Sequence, residues 1–86
     1  MKRKEALSLP KYDNYVFEDL ARRYIHKETD QDVVILYFCR GKSIMEIADE
    51  LQRKTNRIWS TRQIWTIKNE SGAYLFDLYD KLYGAK

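Results

Sequence analysis

The sequence predicts an all-α protein, a small bundle of four to five helices. Apolar residues recur at intervals of three and four along most of the chain, the spacing that places them on one face of a helix. No long segment alternates apolar with polar residues, and no Asn-Gly or Asp-Gly pair marks a hairpin. Glycine occurs three times and proline once in 86 residues, so helix breakers are scarce. This length favours a single domain, predicted at residues 12–86 behind a basic tail at 1–11.

The first helix is predicted to begin at Asp13 or Asn14 and to run to about Lys27. Either residue is a good N-cap, because its short polar side chain can accept a hydrogen bond from a free backbone N–H group. The helical spacing gives this element an apolar face, which we expect to comprise Tyr15, Val16, Phe17, Leu20 and Tyr24.

The second helix is predicted to begin after Thr29 as N-cap. Asp30 and Asp32 then fall in the first turn, where negative charge favours the positive end of the helix dipole. The apolar run Val33–Cys39 follows and reads as a buried core segment. Gly41 is the expected stop, since glycine tolerates the left-handed conformation that commonly ends a helix.

The third helix is predicted to begin after Ser43. Ser43 and Glu46 have the spacing of a capping box, in which each side chain accepts a hydrogen bond from the other's backbone N–H. Apolar residues at helical spacing follow the cap and give the helix an inward face, namely Ile44, Ile47, Ala48 and Leu51.

The fourth helix is predicted to begin after Ser60, where two start signals coincide. Ser60 and Gln63 form a second capping box, and Trp59 and Ile64 have the spacing of a hydrophobic staple. Between the third and fourth helices, residues 52–59 are either an added helical turn or a loop. The sequence leaves that choice open.

A separate C-terminal helix is predicted at about residues 73–83. Glycine costs about 1 kcal/mol inside a helix, so Gly72 favours a break there. A single helix from Ser60 to Tyr83 is the alternative, because one apolar stripe continues past the glycine at Leu75, Leu78 and Leu82.

The positive charge of the chain is concentrated in two segments. The net charge is +3, but residues 51–69 alone carry five bases and no acid, and residues 1–11 carry four bases and one acid. Residues 12–50 carry nine acids and five bases. A basic segment on an otherwise acidic chain is typical of a protein that binds a phosphate backbone.

Residues 43–70 resemble the helix-turn-helix superfamily of DNA-binding proteins. In "EIADEL", Ile47 and Leu51 point inward around the small residue Ala48, and Ile64 and Ile67 match the inward pair of the second helix. The connection is longer than in the compact motif, since Ser60 stands twelve residues after Ala48 where about six are usual. The resemblance is to the last DNA-binding region of sigma factors, or to Myb-like three-helix domains, which have longer turns.

This resemblance implies a sequence-specific regulator of transcription that binds double-stranded DNA through the helix from Ser60. Residues near the start of that helix would read bases in the major groove: Thr61, Arg62, Gln63 and Thr66. Gln63 also serves the capping box, which competes with base reading. Other residues would contact the DNA backbone: Arg53, Lys54, Arg57, Ser60, Lys68, Asn69 and, in the tail, Lys2, Arg3 and Lys4. The orientation of Trp65 stays open.

A second surface is suggested by the tyrosine-rich C-terminal segment. Tyr74, Phe76, Tyr79 and Tyr83 cannot all face one small core, so we expect a partner surface, for a homodimer or for RNA polymerase. The competing hypotheses are therefore a helical protein-interaction module, such as a phage protein that binds a host factor, and a DNA-packaging or recombination accessory factor. The size favours a bacterial or phage origin.

No enzymatic site is expected from the sequence. No nucleophile and base pair is apparent, and His26 with Cys39 is too few ligands for zinc, so we expect neither catalysis nor a cofactor. The single cysteine cannot form an internal disulfide, which is consistent with the reducing cytoplasm. No apolar run approaches the roughly 18 residues of a membrane span, and the N-terminus lacks the apolar core of a secretory signal.

Overall fold

The computed structural model describes residues 13–83, which form four α-helices and no strand. Helix α1 spans Asn14–Tyr24, and α2 spans Glu28–Val34 and continues into a π-helical turn at Ile35–Cys39. Helix α3 spans Ile44–Thr55 and α4 spans Thr61–Tyr83. The predicted all-α class is confirmed. The predicted basic tail, with Lys2, Arg3 and Lys4, lies outside the described residues.

Helix α1 begins where the sequence predicts but ends earlier. The Asp13 carboxylate accepts hydrogen bonds from the backbone N–H groups of Tyr15 at 2.8 Å and Val16 at 3.2 Å. The helix stops at Tyr24 rather than Lys27, because the next residue is extended. Its buried face comprises Phe17, Leu20 and Ala21. The predicted apolar face was therefore partly wrong: Tyr15 is 86% exposed and Tyr24 lies at the surface.

Helix α2 begins two residues earlier than predicted. Its first residue is Glu28, so Thr29 lies inside the first turn and the predicted cap at Thr29 is wrong. Lys27 occupies the cap position without a side-chain hydrogen bond. Instead, the Gln31 side chain donates to the backbone carbonyl of Ile25 at 2.7 Å, which ties α2 to the end of α1. This contact crosses the turn between two helices, so a local capping pattern does not reveal it.

The π-helical turn ends at Cys39, and the predicted stop, Gly41, is the second residue after it. The backbone N–H of Arg40 donates to the carbonyl of Ile35 at 3.1 Å, five residues back, and Gly41 has a φ of 73°. That left-handed conformation strains most residues other than glycine. Cys39 lies half-buried in this turn, and burial raises the pKa of its thiol to about 11.

The helices bury two apolar clusters. The first, which we call the α1-side core, lies between α1, the π-helical turn and the C-terminal half of α4, and comprises Phe17, Leu20, Ala21, Ile25, Val34, Ile35, Leu75 and Tyr79. The second, the α3-side core, lies between α2, α3 and the N-terminal half of α4, and comprises Val33, Ile47, Ala48, Leu51 and Ile64. Helix α4, which at 23 residues is about 34 Å long, joins the two cores.

Gly72 does not break α4. The predicted break, and with it a separate C-terminal helix at 73–83, is wrong, because α4 runs without interruption through this position. Gly72 is buried against the ring of Phe38, and a Cβ atom added to it would stand 2.8 Å from Cε2 of that ring. The glycine therefore permits close contact between α4 and the π-helical turn.

Candidate nucleic-acid interface

Helices α3 and α4 pack through the residues that the sequence places inward. Ile47, Leu51 and Ile64 are fully buried, and Ala48 is 8% exposed. Ile67 is half-buried against the same α3-side core. These predicted inward positions are confirmed. Because Ile64 and Ile67 face the core, the opposite side of the first turns of α4 faces solvent.

The connection between α3 and α4 combines the two alternatives that the sequence left open. Helix α3 continues through Thr55, and Asn56 then adopts a left-handed conformation with a φ of 58°. The backbone N–H of Asn56 donates to the carbonyl of Gln52 at 2.8 Å. Asparagine is one of the few residues other than glycine that tolerate this conformation, so residues 56–60 form a defined turn between the helices.

Trp59 holds this turn against the domain. Its indole Nε1 donates to the Thr55 hydroxyl at 3.0 Å, and that hydroxyl donates to the carbonyl of Leu51 at 2.7 Å. The half-buried Trp59 ring packs against the α3-side core, which contains its predicted staple partner Ile64. The guanidinium of Arg57 lies over the Trp59 ring, 4.7 Å from its centroid. This cation–π contact holds a positive charge next to Trp59.

The predicted capping box at the start of α4 is present. The Ser60 hydroxyl accepts from the backbone N–H of Gln63 at 3.1 Å, and Oε1 of Gln63 accepts from the backbone N–H of Ser60 at 2.9 Å. Because Oε1 is engaged, only the amide Nε2 of Gln63 remains to donate outward. A bidentate contact to adenine uses both amide atoms, so the capping box competes with the role that the resemblance implied for Gln63.

The exposed side of the first turns of α4 contains a shallow groove. Thr61, Arg62, Gln63 and Thr66 are all exposed there, as predicted for residues that face a partner. The groove has a volume of about 380 Å³ and is lined by Trp59, Ser60, Arg62, Gln63, Thr66 and Ile67. Sequence reasoning missed the groove, because Trp59 and Ile67 were assigned to packing and each also contributes surface to it.

Three arginines of residues 51–69 are exposed and have no carboxylate within 4 Å among residues 13–83. They are Arg53 on α3, Arg57 in the turn and Arg62 on α4. Residues 51–69 contain no acid, and Asp49 and Glu50, which precede Arg53 by four and three residues on α3, form no ion pair with it. Arg62 lines the groove, and Arg57 lies over the ring of Trp59, which also lines it, so the groove carries two positive charges.

Lys54 differs from these arginines, because the protein itself neutralises its charge. Its ammonium group forms ion pairs with Asp32 at 2.7 Å and with Glu28 at 3.1 Å, both on α2. The hydrogen bond to Asp32, followed by that to Glu28, raises the pKa of Lys54. These ion pairs would compete with the DNA-backbone contact predicted for Lys54.

Lys68 and Trp65 stand at the other edge of α4, beside the π-helical turn. The Lys68 ammonium lies 4.9 Å from the ring centroid of Tyr37 and 5.8 Å from that of Trp65. Trp65 is 56% exposed, so it turns toward solvent rather than into either core. Asn69 is half-exposed one turn further along. The positive charge of Lys68, which lies near the rings of Tyr37 and Trp65, is therefore beside the exposed face of α4.

The four aromatic residues of the predicted partner surface do not lie together in the structure. Phe76 is half-buried, with its ring 5.0 Å from that of Phe17, and Tyr79 is 7% exposed with its hydroxyl accepting from the Asp13 backbone at 2.8 Å. Both therefore belong to the α1-side core. Tyr74 and Tyr83 are 50% and 55% exposed. They are nine residues apart in α4, a spacing that places them on opposite sides of the helix. They do not form one surface.

Two further structural observations concern the described part of the chain. No group of three or more His, Cys, Asp or Glu side chains within residues 13–83 is arranged to hold a metal ion. None of the four helices is long and apolar enough to cross a membrane. Comparison with protein-family models, curated proteins and solved structures finds no match to this chain.

Proposed function

We propose that this protein is a sequence-specific regulator of transcription that binds double-stranded DNA with the first turns of α4 in the major groove. The observation that supports this most is the exposure of Arg53, Arg57 and Arg62 in a segment without acids that includes the end of α3, the turn and the start of α4. Phosphate contacts from such a group supply affinity, and exposed side chains at a helix start supply base reading. The protein needs no catalytic group or cofactor for this activity, and a cytoplasmic location suits it.

The charge along α4 favours one orientation of the helix on DNA. Residues 70–83 carry three acids and one base, whereas residues 61–69 carry two bases and no acid. The acidic C-terminal half would be repelled by phosphates, so contact is limited to the first two or three turns. Arg62 would bond to guanine, Thr61 and Thr66 would touch neighbouring bases, and Arg53 and Arg57 would pair with phosphates.

The remaining proposed contacts to the DNA backbone lie on the two sides of the helix and come from Ser60, Lys68 and Asn69. Ser60 and the turn stand on one side, while Lys68 stands on the side of the π-helical turn and Asn69 follows it on α4. This arrangement would place phosphate contacts on both edges of a groove that admits α4 between them.

Two substitutions that each remove one positive charge test the proposal. Arg62→Ala is expected to weaken binding to a selected duplex by about 1–3 kcal/mol, and to relax the preference at one base pair. Lys54→Ala removes the same charge from a residue already paired with Asp32 and Glu28, so it should change affinity much less. Fluorescence anisotropy with selected and random duplexes measures both.

Equal losses from the two variants would show that affinity follows net charge alone. An Arg62→Ala loss that is the same for selected and random duplexes would make Arg62 a phosphate contact. Either result would contradict base reading by α4.

The second candidate function is a helical protein-interaction module, favoured by the exposed ring of Trp65 and by Tyr74. Its partner would be a second copy of the chain or another protein such as RNA polymerase. A DNA-packaging or recombination accessory factor would use the same DNA surface. Sedimentation of the full chain with and without a duplex separates self-association from DNA binding.

A further inference from the structure

The groove on α4 places apolar and polar groups side by side. Trp59 and Ile67 present apolar surface, and Gln63, Ser60 and Arg62 line the same space of about 380 Å³. Both Trp59 and Ile67 pack against the α3-side core, so the apolar part of the groove is held in place from beneath. A ligand here must offer an apolar group next to a polar one.

Gln63 lines this groove, and its amide Nε2 is a hydrogen-bond donor that the capping box does not use. Its Oε1 atom accepts from the Ser60 backbone N–H at 2.9 Å, and this partner fixes which amide atom is the oxygen, because a backbone N–H can only donate. The amide Nε2 makes no hydrogen bond with another residue of 13–83. The matching group on a ligand is therefore an acceptor.

Thymine is the base whose major-groove edge has both features. It presents the O4 acceptor and the C5-methyl group on neighbouring ring atoms. Guanine presents two acceptors without a methyl group, adenine presents an acceptor with a donor, and cytosine presents the N4 donor. The combination of an outward donor with an apolar recess distinguishes thymine from the other three.

We propose that Gln63 and the groove read one thymine of double-stranded DNA. Nε2 of Gln63 donates to thymine O4, and the methyl group lies between Trp59 and Ile67. This assignment rests on the proposed DNA-binding function and replaces adenine as the partner of Gln63. The capping box orients the amide before DNA binds, so the residues that cap α4 also determine which base Gln63 prefers. Arg57, stacked on Trp59, adds positive charge beside the recess.

Uracil tests the methyl contact without altering the protein. A duplex is first selected from a random pool with the full chain, and each thymine is then replaced by uracil, one at a time. One replacement is expected to weaken binding about 4-fold, the factor for losing one buried methyl group, about 0.8 kcal/mol. The remaining replacements should leave affinity unchanged, apart from thymines whose methyl groups meet other side chains such as Thr66.

Gln63→Glu tests the hydrogen bond at the same base pair. Glutamate keeps an acceptor for the Ser60 backbone N–H, so the cap survives, but it replaces the outward donor with an acceptor. The preference at that position is expected to change from thymine to cytosine, whose N4 group donates. Comparing the two bases within one variant cancels the general repulsion by the added negative charge. Gln52→Glu, exposed on α3, adds the same charge away from the groove and should keep the thymine preference.

The outcomes separate this proposal from the proposed function. Binding that tolerates uracil at every position, or a Gln63→Glu variant that still prefers thymine, overturns thymine reading and leaves DNA binding intact. Failure of the wild-type chain to bind any duplex at low salt overturns both. A uracil effect at one position, together with the switch to cytosine at that same position, supports the proposal.

Discussion

Replacing Gly72 with alanine adds one methyl group at the point where α4 touches the π-helical turn. The new Cβ atom would stand 2.8 Å from Cε2 and 3.0 Å from Cζ of Phe38, well inside van der Waals contact. The Phe38 ring has little room to move, because its centroid lies 5.5 Å from that of Phe17, 5.2 Å from Phe76 and 4.9 Å from Tyr37. The substitution therefore requires a shift of packed rings or of α4.

Two opposing terms set the magnitude for Gly72→Ala. Overpacking a filled core costs about 1–3 kcal/mol, whereas alanine in place of glycine inside a helix gains about 1 kcal/mol. We expect a net loss of about 1 kcal/mol in the free energy of unfolding. Urea unfolding followed by circular dichroism at 222 nm, a wavelength used generally for helices, resolves about this difference in a protein of 86 residues.

A Phe38→Leu background isolates the steric term. With the ring removed, only the helix propensity remains, so Gly72→Ala should now stabilise the protein by about 1 kcal/mol. The reversal of sign between the two backgrounds is the expected result. If Gly72→Ala stabilises the wild-type chain as well, Phe38 moves aside at little cost, and the close contact does not explain the glycine.

Two other substitutions test local interactions. Ser60→Ala should lower the free energy of unfolding by about 1 kcal/mol in urea titrations, because the N–H of Gln63 loses its cap; no loss would contradict the capping box. Glu18→Gln tests the ion pairs that lower the pKa of Glu18, first the hydrogen bond to Arg40 and then that to Arg22. A lowered pKa stabilises the folded state above the ordinary value of 4.5 and loses this effect as pH falls through the folded value. The difference from wild type should therefore be present at neutral pH and shrink in acid; a difference independent of pH would refute the assignment.

Helix starts were predictable where the signal is local. Asp13, Ser43 and Ser60 each cap the helix that follows, and each does so with residues two or three positions away. Gly41 likewise ends a helix through its own backbone conformation. Such hydrogen bonds depend on a few adjacent residues, so the order of residue types is enough to indicate them.

The errors arose where distant contacts override local preference. Gly72 has a poor helix propensity, but both cores hold α4 together across it, and its missing side chain makes room for Phe38. Thr29 resembles a cap, yet the side chain of Gln31 ties α2 back to Ile25 and the helix starts earlier. The tyrosine-rich segment appeared to be one surface, but Tyr79 is buried by α1 through contacts 66 residues apart in sequence.

The candidate interface was predictable in composition but not in detail. The basic segment and the inward residues Ile64 and Ile67 follow from the sequence pattern. The neutralisation of Lys54 does not, because its partners Asp32 and Glu28 lie on another helix. A count of charges therefore overstates the cations that have no carboxylate partner.

Salt dependence of binding to random duplex DNA tests the central claim most directly. If the three cations assigned to phosphates, Arg53, Arg57 and Lys68, each replace one counterion, the logarithm of the binding constant should fall with the logarithm of salt concentration with a slope of about −3, or steeper where the N-terminal tail also binds. Arg57→Ala should make the slope shallower by about 0.9, and Lys54→Ala should leave it nearly unchanged. A flat dependence, or no binding at low salt, would contradict the assignment of this surface to DNA.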